Sequence, residues 1–408
     1  MTLTGTFQKL YSWFGAKNTF YGSTNYFLGQ KGEIYVDTDK PSELYRTIPQ
    51  IRAIIGKKKN MFANVEFILK DINGKEINNA KSDQFYLLMQ NPNVMQSFNA
   101  FLCNQLEQLD VYGTQFIYKN KVGMKDYPSA LWNVSPAYME LVLTGKSFDQ
   151  TSIDGIISYY NYVENNKKRR FETNQILLTK HDDLDSPIVG KSPLAYLKHP
   201  LSNIDLAYKH RNSVMANKGA IGILSGGGSD ASGSVPLKKE DKEKVENAHR
   251  NTYGLDEGQM KILITEAQLK WSPISYPTKD LMLFEEVKDD TLTLIDALGM
   301  HAHLFAGNDN TFENIKTAIK MVYSDTIQPY ADSFTQALGA FLNVEGIHGK
   351  GTYIEASYDH IQLLEDDKKT EADTFKTTLD AISQAVELQL INQKQALQII
   401  TNLTGITI

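Results

Sequence analysis

The sequence predicts an α+β protein built from several subdomains, and three observations carry that expectation. Apolar residues alternate in short stretches between Val65 and Thr179, as on half-buried strands, but recur at three and four in long stretches from Ser192 onward, as on helices. A glycine and serine run, 225 to 236, separates two of those helical stretches. The chain has 408 residues, more than the roughly 250 to 300 at which a single core stops growing.

The first 30 residues are aromatic and glycine-rich without a sustained period, and read as an arm that orders by packing on something else. From Pro41 to Phe62 the positions Leu44, Ile48, Ile51 and Ile55 have the spacing of one amphipathic helix. A strand, Val65 to Leu69, and the turn Asn73-Gly74 follow. Residues 85 to 118 read as two helical pieces broken at Asn91-Pro92-Asn93. Phe98, Phe101, Leu102, Leu106 and Leu109 share a face, and Tyr112-Gly113 ends the second piece before a strand, Gln115 to Lys119. Ala130 to Val134, Tyr138 to Leu143, Gly155 to Val163 and Gln175 to Thr179 are expected to join one small sheet, so that the first 185 residues form one α+β domain.

Ser192-Pro193 has the form of a helix start, with serine as cap and proline at the first position. Pro200 restarts the helix, which runs through Leu201, Ile204, Tyr208 and Met215 to Gly219 and is mostly basic. The loop 225–236 leads to a charged helix, Leu237 to Tyr253, and a strand through Met260, Ile262 and Ile264. The next helix, Lys279 to Leu298, is mostly acidic: Asp280, Glu285, Glu286, Asp289, Asp290 and Asp296 stand against Lys279 and Lys288. Two helices of opposite charge are expected to lie side by side. A polar loop precedes a third helix that opens with Asn310 and Glu313 at capping-box spacing, runs to about Leu342, and should kink at Pro329. A strand, Tyr353 to Tyr358, and a helical pair, Glu371 to Leu388 and Gln393 to Ile400, close the chain.

Composition excludes several function classes. The formal charge of −6 argues against stable gripping of duplex DNA, which draws its affinity from lysines and arginines. The basic runs Lys57-Lys58-Lys59 and Lys167-Lys168-Arg169-Arg170 read as solvated charge, the second at a hairpin tip after Asn165-Asn166. No apolar run approaches the roughly 18 to 20 residues of a membrane-spanning helix, so no membrane partner is expected, and the N-terminus shows no export signal. One cysteine, Cys103, permits no internal disulfide and no cysteine-based zinc site, which suits a reducing cytoplasm.

Chemical motifs are scarce. Gly190-Lys191-Ser192 has the ending of a phosphate-binding loop, but the position five residues before Gly190 is Asp185 and Pro193 follows directly, so it reads as a helix cap. His301 and His303, with Asp309 nearby, would be the residues of a metal-dependent nuclease or hydrolase, but no third ligand stands at a recognisable spacing. No serine, cysteine or histidine arrangement suits nucleophilic catalysis. No catalytic residue, metal or cofactor is expected.

Several phrases in order decide the resemblance: Gly190-Lys191-Ser192-Pro193-Leu194, Asn217-Lys218-Gly219, Asn251-Thr252-Tyr253-Gly254, and Leu269-Lys270-Trp271-Ser272-Pro273. Ala297-Leu298-Gly299-Met300 with Leu304, Asn310-Thr311-Phe312-Glu313-Asn314, and Thr326-Ile327-Gln328-Pro329 continue the series. With Asn91-Pro92-Asn93, Tyr112-Gly113 and Trp132 to Pro136, the chain resembles the portal proteins of tailed bacteriophages, in the compact version found in long-tailed phages. Met300 departs from the family, which often has valine or isoleucine followed by proline there.

The resemblance implies a homo-oligomeric ring, of about twelve subunits, at one vertex of the virion capsid. It implies the portal fold: an N-terminal arm (1–30), an α+β wing (31–192 and 312–358), a stem of two helices (193–219 and 279–299), a small α/β clip (220–278), a tunnel-loop region (300–311) and a helical crown (359–408). Double-stranded DNA would pass through the channel during packaging and ejection. The tunnel loop would comprise Ala306, Gly307, Asn308, Asp309, Asn310 and Thr311, and the acidic helix would line the channel with Glu285, Glu286 and Asp289. The clip, with Lys238, Lys239, Lys242 and Arg250, would meet the terminase large subunit first and the head-tail adaptor later. Major capsid and scaffolding proteins are further implied partners. A structural ring or adaptor that never encloses DNA is the alternative reading.

Overall fold

A computed structural model describes residues 36–121, 126–145, 152–165, 167–216, 222–226, 229–230, 233–234, 269–273, 283–305 and 311–361, with a few isolated positions at 240, 243 and between 376 and 392. The chain divides into two compact units, one of Met1–Gly22, Ile54–Ser192 and Leu298–Ile408, the other of Ser23–Ala53 and Pro193–Ala297.

In the first unit β1 (Glu66–Lys70) pairs antiparallel with the distant strand Tyr353–Ser357, Glu66 opposite Ser357 and Lys70 opposite Tyr353. Helix Gln328–Leu342 packs on that late strand and also meets the strand Ile176–Lys180. Phe62, Phe67, Tyr330 and Phe334 form an aromatic cluster here, with Phe62 and Tyr330 centroids 4.9 Å apart edge to face and Phe67 and Phe334 5.9 Å apart. A helix, Phe98–Tyr112, is capped by the Ser97 hydroxyl, which accepts from the Ala100 N–H, and stops at Gly113 with φ 76°. It buries Phe101, Leu102, Leu106 and Leu109, the face expected from their spacing.

The expected single sheet is two. Strand β2 (Thr114–Asn120) lies between β3 (Ala130–Val134) and β7 (Ile176–Lys180); β5 (Ile157–Glu164) lies between β4 (Met139–Leu143) and β6 (Lys167–Phe171). Both central strands already have two neighbours, so neither sheet can take the other's strands by its middle. A turn at Pro136–Tyr138, begun by a proline without an N–H, diverts the chain between β3 and β4. The two sheets share one apolar core: Phe116, Met139, Ile157, Tyr160, Phe171 and Ile176.

Other boundaries shift for local reasons. Pro41 to Phe62 is two helices, Pro41–Thr47 and Pro49–Phe62, because Ile48 precedes a proline and is held extended at φ −100° and ψ 105°. Pro193–Tyr196 forms only a tight turn, and the long helix runs Lys198–Ala216 with Pro200 in its first turn, where proline costs no hydrogen bond. The third helix is capped by Thr311, whose hydroxyl accepts from the Asn314 N–H at 3.3 Å, and so begins one residue after the Asn310 cap position. Pro329 is accommodated by a π-helical turn, Tyr323–Ile327, between Phe312–Val322 and Gln328–Leu342. Widening the helix there relieves the clash between the proline ring and the carbonyl four residues earlier. The N-terminal arm, Gly219, the strand through Met260, and most of the Leu237 to Tyr253 helix and of the two C-terminal helices lie outside the described residues.

Candidate functional site: an acidic helix face

In the second unit the basic helix Lys198–Ala216 and the acidic helix Leu283–Ala297 pack against each other, as their opposite charge led one to expect. Leu201 and Ile204 on one, Leu294 and Ile295 on the other, are fully buried. Asp290 faces the basic helix near the Asn203 side chain. Burial pushes its carboxyl above the usual range, and Glu286 and Asp289 beside it add to the rise. The basic helix is held further by Gln50, which donates to the Tyr208 hydroxyl at 2.8 Å, and by Ser202, which accepts from the Val36 N–H at 2.9 Å.

Buried apolar side chains join the helices. Lys209 pairs with Asp205 on its own helix at 2.6 Å. Glu285, Glu286 and Asp289 are exposed. At 100° per residue, Glu285, Asp289, Leu292 and Asp296 fall on one stripe opposite the buried Leu294. The helix therefore presents a row of carboxylates on the surface its partner helix leaves open. Of the expected tunnel loop, Ala306, Gly307, Asn308, Asp309 and Asn310 lie outside the described residues, and Thr311 serves as the helix cap. Lys238, Lys239, Lys242 and Arg250 also lie outside them; of the strands described within the expected clip, Gly222–Gly226 pairs antiparallel with Leu269–Pro273 and Ser229–Asp230 with Gly233–Ser234.

A family model of phage portal proteins matches residues 49–386. The chain belongs to the phage portal protein family. Among solved structures, this portal chain is similar to one in the neck of an empty gene transfer agent particle computed with C6 symmetry. The TM-score is 0.60 at 18% identity, with 83% of this chain and 90% of that one covered. A chain from the neck of the native particle computed with C12 symmetry gives TM-score 0.59 at 18% identity, covering 88% of this chain and 92% of that one. An HK97-family phage portal protein from Corynebacterium diphtheriae gives TM-score 0.49 at 12% identity, over 78% and 94%. No curated protein matches the chain.

In this portal chain the phrases that carried the resemblance meet in pairs. Gly113 and Gly190 cross so closely that a Cβ on Gly190 would stand 2.1 Å from the Gly113 carbonyl oxygen, and one on Gly113 would stand 2.1 Å from the Lys191 carbonyl carbon. Thr114 seals the crossing: its hydroxyl accepts from the Gly190 N–H at 3.0 Å and donates to the Gly190 carbonyl at 3.2 Å. Gly190-Lys191-Ser192 is thus a backbone crossing followed by a turn, with no phosphate cradle. Asn93 donates to the Leu131 carbonyl at 2.9 Å, joining Asn91-Pro92-Asn93 to the strand that carries Trp132. Gly299, at φ 71°, leaves room for Thr326, whose hydroxyl donates to the Gly299 carbonyl at 2.7 Å.

Three features escaped sequence reasoning. Lys57-Lys58-Lys59 is not solvated charge: Lys57 donates to the Leu304 carbonyl and lies over the Phe305 ring, Lys59 pairs with Glu107, and buried Lys58 meets fully buried Asp110 at 3.0 Å. His181 completes that group, its Nε2 3.0 Å from the other Asp110 oxygen. The signal was in the spacing, because Lys58 falls four residues after Ile54 and four before Phe62, on the buried side of its helix. The second basic run occupies an exposed edge strand rather than the hairpin tip, where Asn165 takes φ 49°. His301 and His303 stack at 5.2 Å, and His301 Nδ1 accepts from the His303 N–H, closing a short turn. Among the described residues no group of three or more histidine, cysteine or acidic side chains could hold a metal ion, and no helix is long and apolar enough to cross a membrane.

Proposed function

We propose that copies of this portal chain close into a ring that encloses double-stranded DNA during packaging and ejection, with the exposed face of Leu283–Ala297 on the channel wall. The observation that carries the reading is the row Glu285, Asp289 and Asp296 on the side of that helix opposite its buried contacts, in a chain of the portal family. A conduit must let a polyanion slide, and fixed carboxylates keep phosphates from settling on the wall. Family membership and the likeness to chains from symmetric particle necks support a ring at the vertex of a virion. The tunnel loop, 306–311, would narrow the channel. The clip, with Lys238, Lys239, Lys242 and Arg250, would dock the terminase large subunit and then the head-tail adaptor, while the wing would meet capsid and scaffolding proteins.

Reversing Glu285, Glu286 and Asp289 to lysine tests the reading. A lysine about 4 Å from a phosphate gains roughly 1 kcal/mol even in bulk water, so three per subunit, repeated around a ring, should slow passage roughly tenfold or more. Because all three side chains are exposed, assembly should be unchanged. Packaging assays should then show far fewer filled particles, and packaging at the wild-type rate would defeat the proposal.

A further inference from the structure

We infer that the edge strand β6, through Lys167 and Arg169, is a second contact for duplex DNA, one that grips the phosphate backbone. Lys167, Lys168, Arg169 and Arg170 are all exposed on a strand that pairs only with β5 among the described residues. Lys168 is answered by Glu140 at 3.3 Å and Arg170 by Glu172 at 3.2 Å. Lys167 and Arg169 have no carboxylate partner among the described residues.

The two arginines are held in place by rings. Arg169 lies 4.8 Å over Phe171 and 5.4 Å over Tyr118, whose hydroxyl accepts from it at 3.4 Å, and Arg170 lies 4.0 Å over Tyr159. A guanidinium fixed by its face keeps its remaining in-plane N–H groups for an external acceptor, and less side-chain freedom is lost on binding. Lys167 and Arg169 share one face at a spacing of about 6.6 Å, twice the rise of a strand residue. That places two cations in a row for an extended chain of anions.

Edge protection accounts for exposed charge on this strand but not for the seating of both arginines on aromatic faces. The same run discourages pairing with an added peptide strand, since consecutive cationic side chains are the usual means of blocking an exposed edge. The partner is therefore one that touches side chains rather than backbone, and phosphates meet that description. The inference rests on the portal reading for the identity of the polyanion. Its test reads binding in vitro, so it can fail while packaging through the ring succeeds.

The full-length chain, in its own assembly state, is titrated into a fluorescent duplex of arbitrary sequence over a range of salt. The Lys167→Gln/Arg169→Gln variant should lower the slope of log affinity against log salt by about 2 and weaken binding at low salt at least about tenfold. Lys167→Gln alone should lower the slope by about 1. Glu140→Gln, which releases Lys168, should tighten binding, a gain that misfolding cannot mimic. Unchanged slopes in both lysine variants overturn the inference, as does poly-glutamate binding with the same residue dependence and an affinity equal to that of DNA.

Discussion

Replacing Lys58 with methionine is expected to destabilise the first unit by about 3–5 kcal/mol, the usual cost of leaving one buried charge without its partner. Asp110 is fully buried in the helix Phe98–Tyr112, and Lys58 reaches both of its oxygens, at 3.0 and 3.1 Å. Burial alone would raise the Asp110 carboxyl, but the Lys58 charge and the hydrogen bond from His181 outweigh it and hold it below the ordinary value. A carboxylate whose pKa is depressed on folding contributes stability above its unfolded value, near 3.9, and loses it as pH falls through the folded value. Denaturation in urea at pH 7 should thus show the full loss in Lys58→Met. Asp110→Asn should be destabilised at pH 7 but have a flatter acid limb than the wild type. An acid limb as steep in Asp110→Asn as in the wild type would remove Asp110 from the explanation.

Gly190→Ala is expected to leave little folded protein. Its Cβ would stand 2.1 Å from one carbonyl oxygen and 2.5 Å from that of His181, both backbone atoms with no side-chain freedom to absorb the overlap. Gly113→Ala meets the Lys191 backbone in the same way and adds a left-handed φ of 76°, which costs a non-glycine residue about 1–3 kcal/mol. Overpacking in places that can move costs about 1–3 kcal/mol, so a backbone crossing that cannot should exceed that. Gly56→Ala, where nothing lies within 4 Å, serves as the control and should fold normally. Soluble yield and the urea midpoint check all three; a Gly190→Ala protein as stable as Gly56→Ala would contradict the close backbone crossing.

Much of the secondary structure was legible because periodicity and punctuation agreed: the face Phe101, Leu102, Leu106 and Leu109, the stop at Gly113, the strands around Ile117 and Tyr160. What escaped was set by distant partners. One sheet became two because β2 and β5 each filled both edges, and pairing choice leaves no mark in a single strand's alternation. Lys58 looked solvated because lysine usually is, and Asp110, 52 residues away, supplied the reason to bury it. The π turn before Pro329 stood where a kink was expected, since either one relieves the proline. The acidic stripe was legible as composition, but only packing of the basic helix against Leu294 and Ile295 fixed which carboxylates stay exposed.

Imaging the purified chain along its symmetry axis tests the central claim most directly. A closed ring with a central opening is expected, with Glu285, Asp289 and Asp296 facing the opening. A monomer, or a ring that turns those carboxylates outward, would contradict it.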